Sequence, residues 1–240
     1  ALAREKKLKN LQHDFLSSVT HEFKTPLTSI IGYADLLNKY GEDEELVNKG
    51  IRTIRKQSER LYRLVEKVLY LSSIDKYNFE PELETFPVND LIRESMAGIR
   101  IKANNRGILI RTDLQYGGEL EGDFNLLYRM MINILDNAIK YNVEGGQVEI
   151  ITEKKDEWLK LTVRDSGISI DPEHLERIFE PFYREEKDRA RTTGGDGLGL
   201  SIVKEITEAH QGKIEIKSHQ GLGTEVVVWL PLKQNLEDLS

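Results

Sequence analysis

Two long amphipathic segments joined by a very short turn most constrain how this chain can fold. Residues 1–38 place their apolar side chains on one narrow stripe when plotted at about 100° per residue. Residues 44–73 repeat apolar side chains at alternating three- and four-residue spacing, a heptad-like seam. The pattern predicts an antiparallel helical hairpin with its turn at Tyr40–Asp43. Its leftover apolar surface favours pairing with a second copy into a four-helix bundle; packing on the chain's own second half is the alternative.

A polar motif interrupts the first segment, from His21 to Leu27. His21 falls nearly opposite the apolar stripe, Thr25 shares its face, and Glu22 lies about a quarter-turn away. Pro26 removes a backbone donor and is expected to bend the helix. A histidine on an exposed helix face is most often an ordinary surface residue, so the motif depends on the rest of the chain for its meaning.

Length and composition limit the classes of protein to consider. The 240 residues, with 39% hydrophobic and 31% charged residues, fit one large or two ordinary globular domains. No apolar run approaches the roughly 20 residues of a membrane span. The absence of cysteine excludes disulfides and thiolate zinc sites. The abrupt start without a methionine suggests a fragment of a longer protein.

The net charge of −7 is distributed unevenly along the chain. Residues 1–80 carry 14 basic and 12 acidic side chains, for a net +2, whereas residues 81–240 carry 20 and 29, for a net −9. The acidic second half argues against a nucleic-acid partner. An anion bound there must be held by local groups against the overall field.

The pattern changes after the hairpin. We expect three parts: a helical hairpin over 1–74, a linker over 75–81 and a mixed α/β domain over 82–233. Within the last part, the periodicity predicts a helix capped near Asn89 and two further helices at 124–141 and 198–210. Alternating patterns predict five strands, at 108–114, 147–152, 158–164, 213–218 and 224–230. Sheet on one side and helices on the other give a two-layer α/β sandwich.

Two polar motifs in the second half have chemistry suited to a nucleotide. On the helix at 124–141, Asn133, Asn137 and Lys140 share one face and Tyr141 follows. Carboxamide oxygens can ligate a hard divalent cation and a lysine can meet a phosphate, although the same residues could simply be solvated. Asp165 follows a strand and precedes Gly167, where a carboxylate could accept a hydrogen bond from an exocyclic amine; it could also form an ordinary turn.

Two further motifs follow. The aromatic stretch from Ile178 to Arg184 introduces a charged run. The glycine-rich stretch from Gly194 to Leu200 leads directly into a helix, where backbone N–H groups and the helix dipole favour phosphate. Each motif alone is weak, and the glycine-rich stretch lacks the lysine of a P-loop.

Taken together, the motifs resemble those of the sensor histidine kinases of two-component systems, over nearly the whole chain. The hairpin resembles their dimerisation and phosphoacceptor domain, with His21 to Leu27 as the H box. The second part resembles their ATP-binding domain of the GHKL type. It carries, in the family's order, an N box at 133–141, a G1 box at 165–170, an F box at 178–184 and a G2 box at 194–200.

The resemblance implies ATP as substrate, Mg²⁺ as cofactor and a role for each matched residue. His21 would accept the γ-phosphoryl group, with Glu22 as base toward its other ring nitrogen, and pass it to an aspartate of a response regulator receiver domain. Residues 184–196 would form the ATP lid. Asn137 and Asn133 would ligate Mg²⁺, and Lys140 and Arg184 would stabilise phosphate charge. Tyr141 and Asp165 would contact the nucleoside. Backbone access for the nucleotide would come from Gly167, Gly195, Gly197, Leu198 and Gly199.

The resemblance also implies a homodimer through the hairpin, and a cytoplasmic location as part of a membrane-bound sensor. No membrane contact is expected within this segment. Thr25, in the pattern Glu22-x-x-Thr25, suggests additional phosphatase activity toward the regulator, or it is a helix residue before a proline.

Two positions depart from the family pattern. Ser169 replaces the second G1 glycine, and Asp196 places a carboxylate beside the expected phosphates. Because both changes could weaken ATP binding, a degenerate kinase acting as a dimeric scaffold or phosphatase is the alternative. A hydrolysing relative of the gyrase or chaperone type would carry glutamate in place of Asn133 and lack the H box.

Overall fold

The computed structural model describes residues 2–40, 43–74, 81–184, 196–219 and 221–234. The chain divides into two compact units, Ala1–Lys76 and Tyr77–Ser240. Residues 75–80 of the expected linker and residues 41–42 of the expected turn lie outside the described residues.

The first unit is the predicted helical hairpin. Helix α1 spans Leu2–Tyr40 and continues through Pro26, and helix α2 spans Glu44–Ile74. Asp43 begins α2 by accepting a 3.0 Å hydrogen bond from the backbone N–H of Leu46. The helices pack closely: a Cβ atom on Gly50 would lie 2.9 Å from the side chain of Leu37. Leu64 is buried between them, at 2% exposure.

The second unit is the predicted α/β sandwich. Five strands form the main sheet: β2 (Leu109–Leu114), β4 (Gln147–Lys155), β5 (Trp158–Asp165), β6 (Lys213–His219) and β7 (Gly223–Pro231). Their order is β2-β4-β5-β7-β6, with β2 parallel to β4 and every other pair antiparallel. The helices are α3 (Val88–Asn105), α4 (Phe124–Lys140) and α5 (Gly199–Ala209). A short 3-10 turn lies at Pro172–His174.

Alternation along the strands explains why the helices cover the sheet. Every second residue of the central strands is fully or almost fully buried on the helix side: Val148, Ile150, Leu159, Leu161, Val163, Val228 and Leu230. Helix α4 faces them with residues at helical spacing, Leu127, Met130, Met131, Ile134 and Leu135. The core of this unit therefore lies between sheet and helices, and α4 runs through its centre.

A second, two-stranded sheet was not predicted. Strand β1 (Glu84–Pro87) pairs antiparallel with β3 (Glu119–Gly122), and Phe86 lies opposite the buried Leu120. The predicted cap at Asn89 is wrong. Pro87 holds the N-cap position without a side-chain cap bond, because the chain enters the helix directly from β1. Asn89 instead packs against Gly117, where an added Cβ would lie 2.3 Å from its amide nitrogen.

Candidate functional site

Helices α4 and α5 bring two of the sequence motifs into contact. Asp123 caps α4 by accepting a 3.0 Å hydrogen bond from the N–H of Leu126. Asn133 and Asn137, half-buried on α4, face the start of α5. An added Cβ on Gly199 would lie 3.4 Å from Asn133 Oδ1 and 3.5 Å from Asn137 Nδ2. The N-terminus of α5 and both carboxamides therefore line one small space.

The polar side chains of α4 are held in defined orientations. Asn133 Nδ2 donates to the carbonyl of Arg129 at 2.8 Å, which leaves its Oδ1 toward Gly199. At the end of the helix, Lys140 Nζ donates to the Tyr141 hydroxyl at 2.8 Å and lies 4.4 Å from the centre of its ring. A carboxamide oxygen, an ammonium group and helix N–H groups together suit a metal-bound phosphate chain.

The segment that leads into α5 is tied to the aromatic motif. Gly197 has a φ of 71°, and its carbonyl accepts from the N–H of Phe182 at 2.9 Å. Leu198 is fully buried and anchors the turn in the core. Asp196 Oδ1 accepts from the N–H of Leu198 at 3.1 Å, so its carboxylate occupies a backbone donor at the start of the helix. Gly195 lies outside the described residues.

Asp165 ends strand β5 in a half-buried position. Its Oδ1 accepts from the N–H of Gly167 at 2.8 Å and from that of Thr224 at 3.3 Å. Burial raises the pKa of the Asp165 carboxyl to about 6, and the two backbone hydrogen bonds oppose that rise. Strand-end position, burial and fixed orientation are the properties expected of a carboxylate that recognises a buried amine.

The G1 motif packs directly on the end of the N-box helix. A Cβ on Gly167 would lie 2.4 Å from the carbonyl oxygen of Tyr141. The same carbonyl accepts from the N–H of Ile168 at 3.0 Å. Ser169, the departure from the family pattern, donates its hydroxyl to the carbonyl of His219 at 2.6 Å. Gly167 thus permits the close approach of the two motifs, while Ser169 fastens the loop to strand β6.

The aromatic motif precedes the expected lid. The hydroxyl of Tyr183 lies 2.6 Å from Nδ1 of His174, and the guanidinium of Arg177 lies 4.3 Å from the Tyr183 ring centre. Arg184 follows, half-buried. Residues 185–195, which include most of the expected lid, lie outside the described residues.

The H-box residues lie on helix α1 of the other unit. His21 and Thr25 are exposed on one face, and the Thr25 hydroxyl donates a long, 3.4 Å hydrogen bond to the carbonyl of His21. Glu22 is half-buried and forms a 3.1 Å ion pair with Arg60 of α2. The hairpin therefore presents the imidazole to solvent and fixes the neighbouring carboxylate through the second helix.

Three residues that the sequence patterns missed complete the nucleotide-type site. Arg106, Asn142 and Ser166 form hydrogen bonds that join the end of α4 to the end of β5. The position of Asn142 directly after the N box was the one available signal. Arg106 had none, because its partners are backbone carbonyls more than 30 residues away.

Family models match both units. Residues 11–76 match the His Kinase A (phospho-acceptor) domain. Residues 122–234 match the histidine kinase-, DNA gyrase B- and HSP90-like ATPase. The two matches cover the helical hairpin and the larger part of the sandwich, in the order predicted from the motifs.

Whole-chain comparisons agree with the family models. The chain is 33% identical over 220 residues to the sensor-like histidine kinase SenX3 of Mycobacterium tuberculosis, covering 92% of this chain and 54% of that protein. It is 31% identical to the sensor histidine kinase WalK of Bacillus subtilis, over 99% of this chain and 39% of that protein. Among solved structures, histidine kinase ThkA in complex with response regulator protein TrrA superposes with a TM-score of 0.77 at 27% identity, over 96% of this chain and 64% of that one.

The helical phosphoacceptor hairpin and the GHKL-type ATP-binding sandwich together define a class of signalling phosphotransferase. The chain belongs to the sensor histidine kinase family. It spans about half the length of the curated relatives it matches. Among the described residues, no helix combines the length and apolar character needed to cross a membrane.

Proposed function

We propose that this chain transfers the γ-phosphoryl group of ATP to His21 and then to an aspartate of a response regulator. The observation that carries the proposal is the close approach of Gly199, at the start of α5, to Asn133 and Asn137 of α4. It creates a space bordered by helix N–H groups and carboxamide oxygens, in a chain whose other unit exposes a histidine. One reaction, phosphoryl transfer from ATP to a histidine, would then account for all five sequence motifs.

The second unit is proposed to bind and orient ATP. Asp165 accepts a hydrogen bond from the adenine amine, Gly167 admits the flat base, and Tyr141 contacts the base or ribose. Lys140 and Arg184 neutralise phosphate charge. Backbone N–H groups near Gly197, Leu198 and Gly199 receive phosphate oxygens, with Gly195 expected to contribute from outside the described residues.

The donor set also fits a hard divalent cation. Asn137 and Asn133 offer neutral carboxamide oxygens, which suit Mg²⁺ that keeps several waters and binds phosphate oxygens. Mg²⁺ would neutralise the charge that develops on the transferring phosphoryl group. The protein's own contribution is to hold these amides in place, as the Asn133 bond to the Arg129 carbonyl does.

The chemical step occurs at the imidazole of His21. Its unprotonated ring nitrogen attacks the γ-phosphorus, a P–N bond forms, and the bond to the ADP oxygen breaks. Glu22 accepts a hydrogen bond from the other ring nitrogen and supports the positive charge that develops there. Because Glu22 also pairs with Arg60, the α2 side chain orients this base.

The onward acceptor is proposed to be the receiver domain of a response regulator. ThkA, which shares this fold at 27% identity, has been crystallised in complex with response regulator protein TrrA. In this chain, the exposed face of helix α1 around His21 is the proposed docking surface. A homodimer through the hairpin is proposed because both helices expose large apolar side chains.

Labelling with γ-labelled ATP and Mg²⁺ tests the proposal directly. We expect acid-labile label on the wild-type chain and none on His21→Gln, with nucleotide affinity unchanged in the variant. An unlabelled wild-type chain that still binds ATP would favour the alternative of a degenerate scaffold. Phosphate release without a phosphoprotein would favour a simple ATPase.

Phosphatase activity toward the phosphorylated regulator is a second proposed function. Thr25 is exposed one turn from His21 on the same face, where its hydroxyl could orient a water. A regulator phosphorylated chemically beforehand should lose phosphate faster with the wild-type chain than with Thr25→Ala. Equal rates, with autophosphorylation intact in both chains, would contradict this role.

A further inference from the structure

Arg106, at the end of helix α3, binds the C-terminus of the N-box helix. Its guanidinium donates to the carbonyls of Ile139 at 2.6 Å, Lys140 at 2.5 Å and Asn142 at 2.9 Å. The last carbonyls of a helix lack intrahelical partners and carry partial negative charge. A planar, charged fork is well suited to several of them at once. One side chain from another helix thus fixes the backbone on both sides of Tyr141.

A second set of hydrogen bonds carries this connection to the G1 motif. The buried Asn142 donates to the carbonyl of Gln147 at 3.0 Å and accepts from the Ser166 hydroxyl at 3.1 Å. Ser166 Oγ in turn accepts from the N–H of Gln147 at 2.9 Å. Ser166 directly follows Asp165, so the series of hydrogen bonds that starts at Arg106 ends beside the half-buried carboxylate.

The two sides of the proposed base pocket are therefore held to each other. Tyr141 lies on the segment clamped by Arg106, and Asp165 and Gly167 flank Ser166. The close contact between Gly167 and the Tyr141 carbonyl leaves little tolerance for a shift of either segment. A displacement of Tyr141 relative to Asp165 would alter the shape of the pocket between them.

We propose that Arg106 is a positioning residue for recognition of the nucleotide base, acting through Asn142 and Ser166. This inference rests on the proposed ATP-binding function of the same site. Arg106 sets the distance between Tyr141 and Asp165 and thereby the preference for adenine over guanine. The phosphate-binding groups at the start of α5 lie outside this set of bonds.

Nucleotide titrations on the whole chain distinguish positioning from mere helix capping. The variants are Arg106→Gln, Arg106→Lys and Ser166→Ala, with Arg100→Gln as a matched control because Arg100 is an exposed arginine on the same helix. Affinities for ATP and GTP are measured with Mg²⁺ by calorimetry, alongside KM and kcat for autophosphorylation. Near-ultraviolet circular dichroism reports folding.

For Arg106→Gln we expect the Kd for ATP to rise about tenfold, equivalent to ~1.4 kcal/mol. The preference for ATP over GTP should shrink, and KM should rise while kcat at saturating ATP stays within about twofold. Arg106→Lys should restore part of the affinity, Ser166→Ala should reduce base preference in the same direction, and Arg100→Gln should match the wild type.

A folded Arg106→Gln chain with wild-type ATP affinity and base preference would overturn the inference. If that variant does not fold, unchanged base preference in both Arg106→Lys and Ser166→Ala would overturn it instead. A wild-type chain that binds ATP but never labels His21 would contradict the kinase function and leave the inference intact. A wild-type chain that binds no nucleotide would contradict both.

Discussion

Asp165, the proposed contact for the adenine amine, occupies its half-buried position at a cost in stability. Burial raises its pKa to about 6 from an ordinary value of 3.8, so the folded state holds the proton more tightly than the unfolded state. Ionisation of this group therefore lowers the free energy of unfolding as the pH rises from 3.8 through about 6. The protein remains less stable by that amount at neutral pH. Such a carboxylate is more readily explained by ligand binding than by stability.

The same shift predicts how ATP affinity depends on pH. A carboxylate accepts a hydrogen bond from the adenine amine more strongly than a neutral carboxyl group does, so binding favours the deprotonated form. ATP affinity should weaken as the pH falls through about 6. The nucleotide phosphates also titrate in this region, so the quantity to measure is the affinity ratio of wild type to Asp165→Asn. A ratio that does not change with pH would contradict the assignment.

Asp196 predicts that ATP binding can be improved by a single substitution. Its carboxylate accepts from the N–H of Leu198 at 3.1 Å, at the helix start where a phosphate oxygen is expected. Asp196→Ser removes a like charge and keeps a hydroxyl for the helix start. We expect the Kd for ATP to fall by roughly threefold to tenfold, more at low salt, with adenosine affinity unchanged. Weaker ATP binding by this variant would contradict the expectation.

At the scale of elements, the junction of α4 and α5 is the feature on which the proposed nucleotide site depends. Gly199→Ala should leave the fold intact, because its Cβ would meet Asn133 and Asn137 at ordinary contact distances. The change in unfolding free energy should stay below about 1 kcal/mol. The methyl group would nevertheless occupy the space between the helix N–H groups and the carboxamides, and the Kd for ATP should rise at least about tenfold.

Gly32→Ala is the matched control for this substitution. Gly32 lies in helix α1, and a Cβ there would meet nothing within 4 Å. Thermal unfolding and ATP titration on both variants separate loss of the site from loss of the fold. Wild-type ATP affinity in Gly199→Ala would show that the phosphates bind elsewhere.

Elements with a long periodic pattern could be predicted from sequence, and short ones could not. Helices α1, α2, α4 and α5 and the five main strands begin and end within a few residues of their predicted positions. Strands β1 and β3 have four residues each, the shortest length over which alternation can indicate a strand.

The site was partly predictable for a related reason. Motif residues such as Asn137 and Asp165 carry their chemistry in the side chain and recur at characteristic spacing. Arg106 acts on backbone carbonyls of a distant segment, and a carbonyl has no sequence signature. Asn89 misled the cap prediction because strand β1 leads the chain into α3 two residues earlier than predicted, with Pro87 at the cap.

At the scale of the molecule, the hairpin exposes apolar side chains that a single chain leaves in water. Ile31 on α1 and Ile51 on α2 are 52% and 55% exposed. Both lie near the turn end of the hairpin, at similar distances along it. Burying such residues between two hairpins would release ordered water from both copies, and this favours a dimer.

Substitution of both isoleucines tests this association. The double variant Ile31→Glu, Ile51→Glu should be monomeric in analytical ultracentrifugation at concentrations where the wild type is dimeric. Each glutamate would place an unpaired charge in the apolar interface between the two copies, and burying that charge would disfavour the dimer. The double variant Asn38→Glu, Asn48→Glu adds the same charge at exposed polar positions of the same helices and should remain a dimer. A dimeric isoleucine variant would exclude this surface.

The central claim is that the ATP site exists to phosphorylate His21, and locating the phosphoryl group tests it most directly. The wild-type chain is incubated with ATP and Mg²⁺, and the modified residue is identified by tandem mass spectrometry under neutral conditions that preserve phosphoramidates. We expect a single phosphoryl group per modified chain, on the His21 imidazole, and a much smaller modified fraction in Gly199→Ala at an ATP concentration near the wild-type Kd. A phosphoryl group on any other residue, or none on a wild-type chain that binds ATP, would contradict this claim.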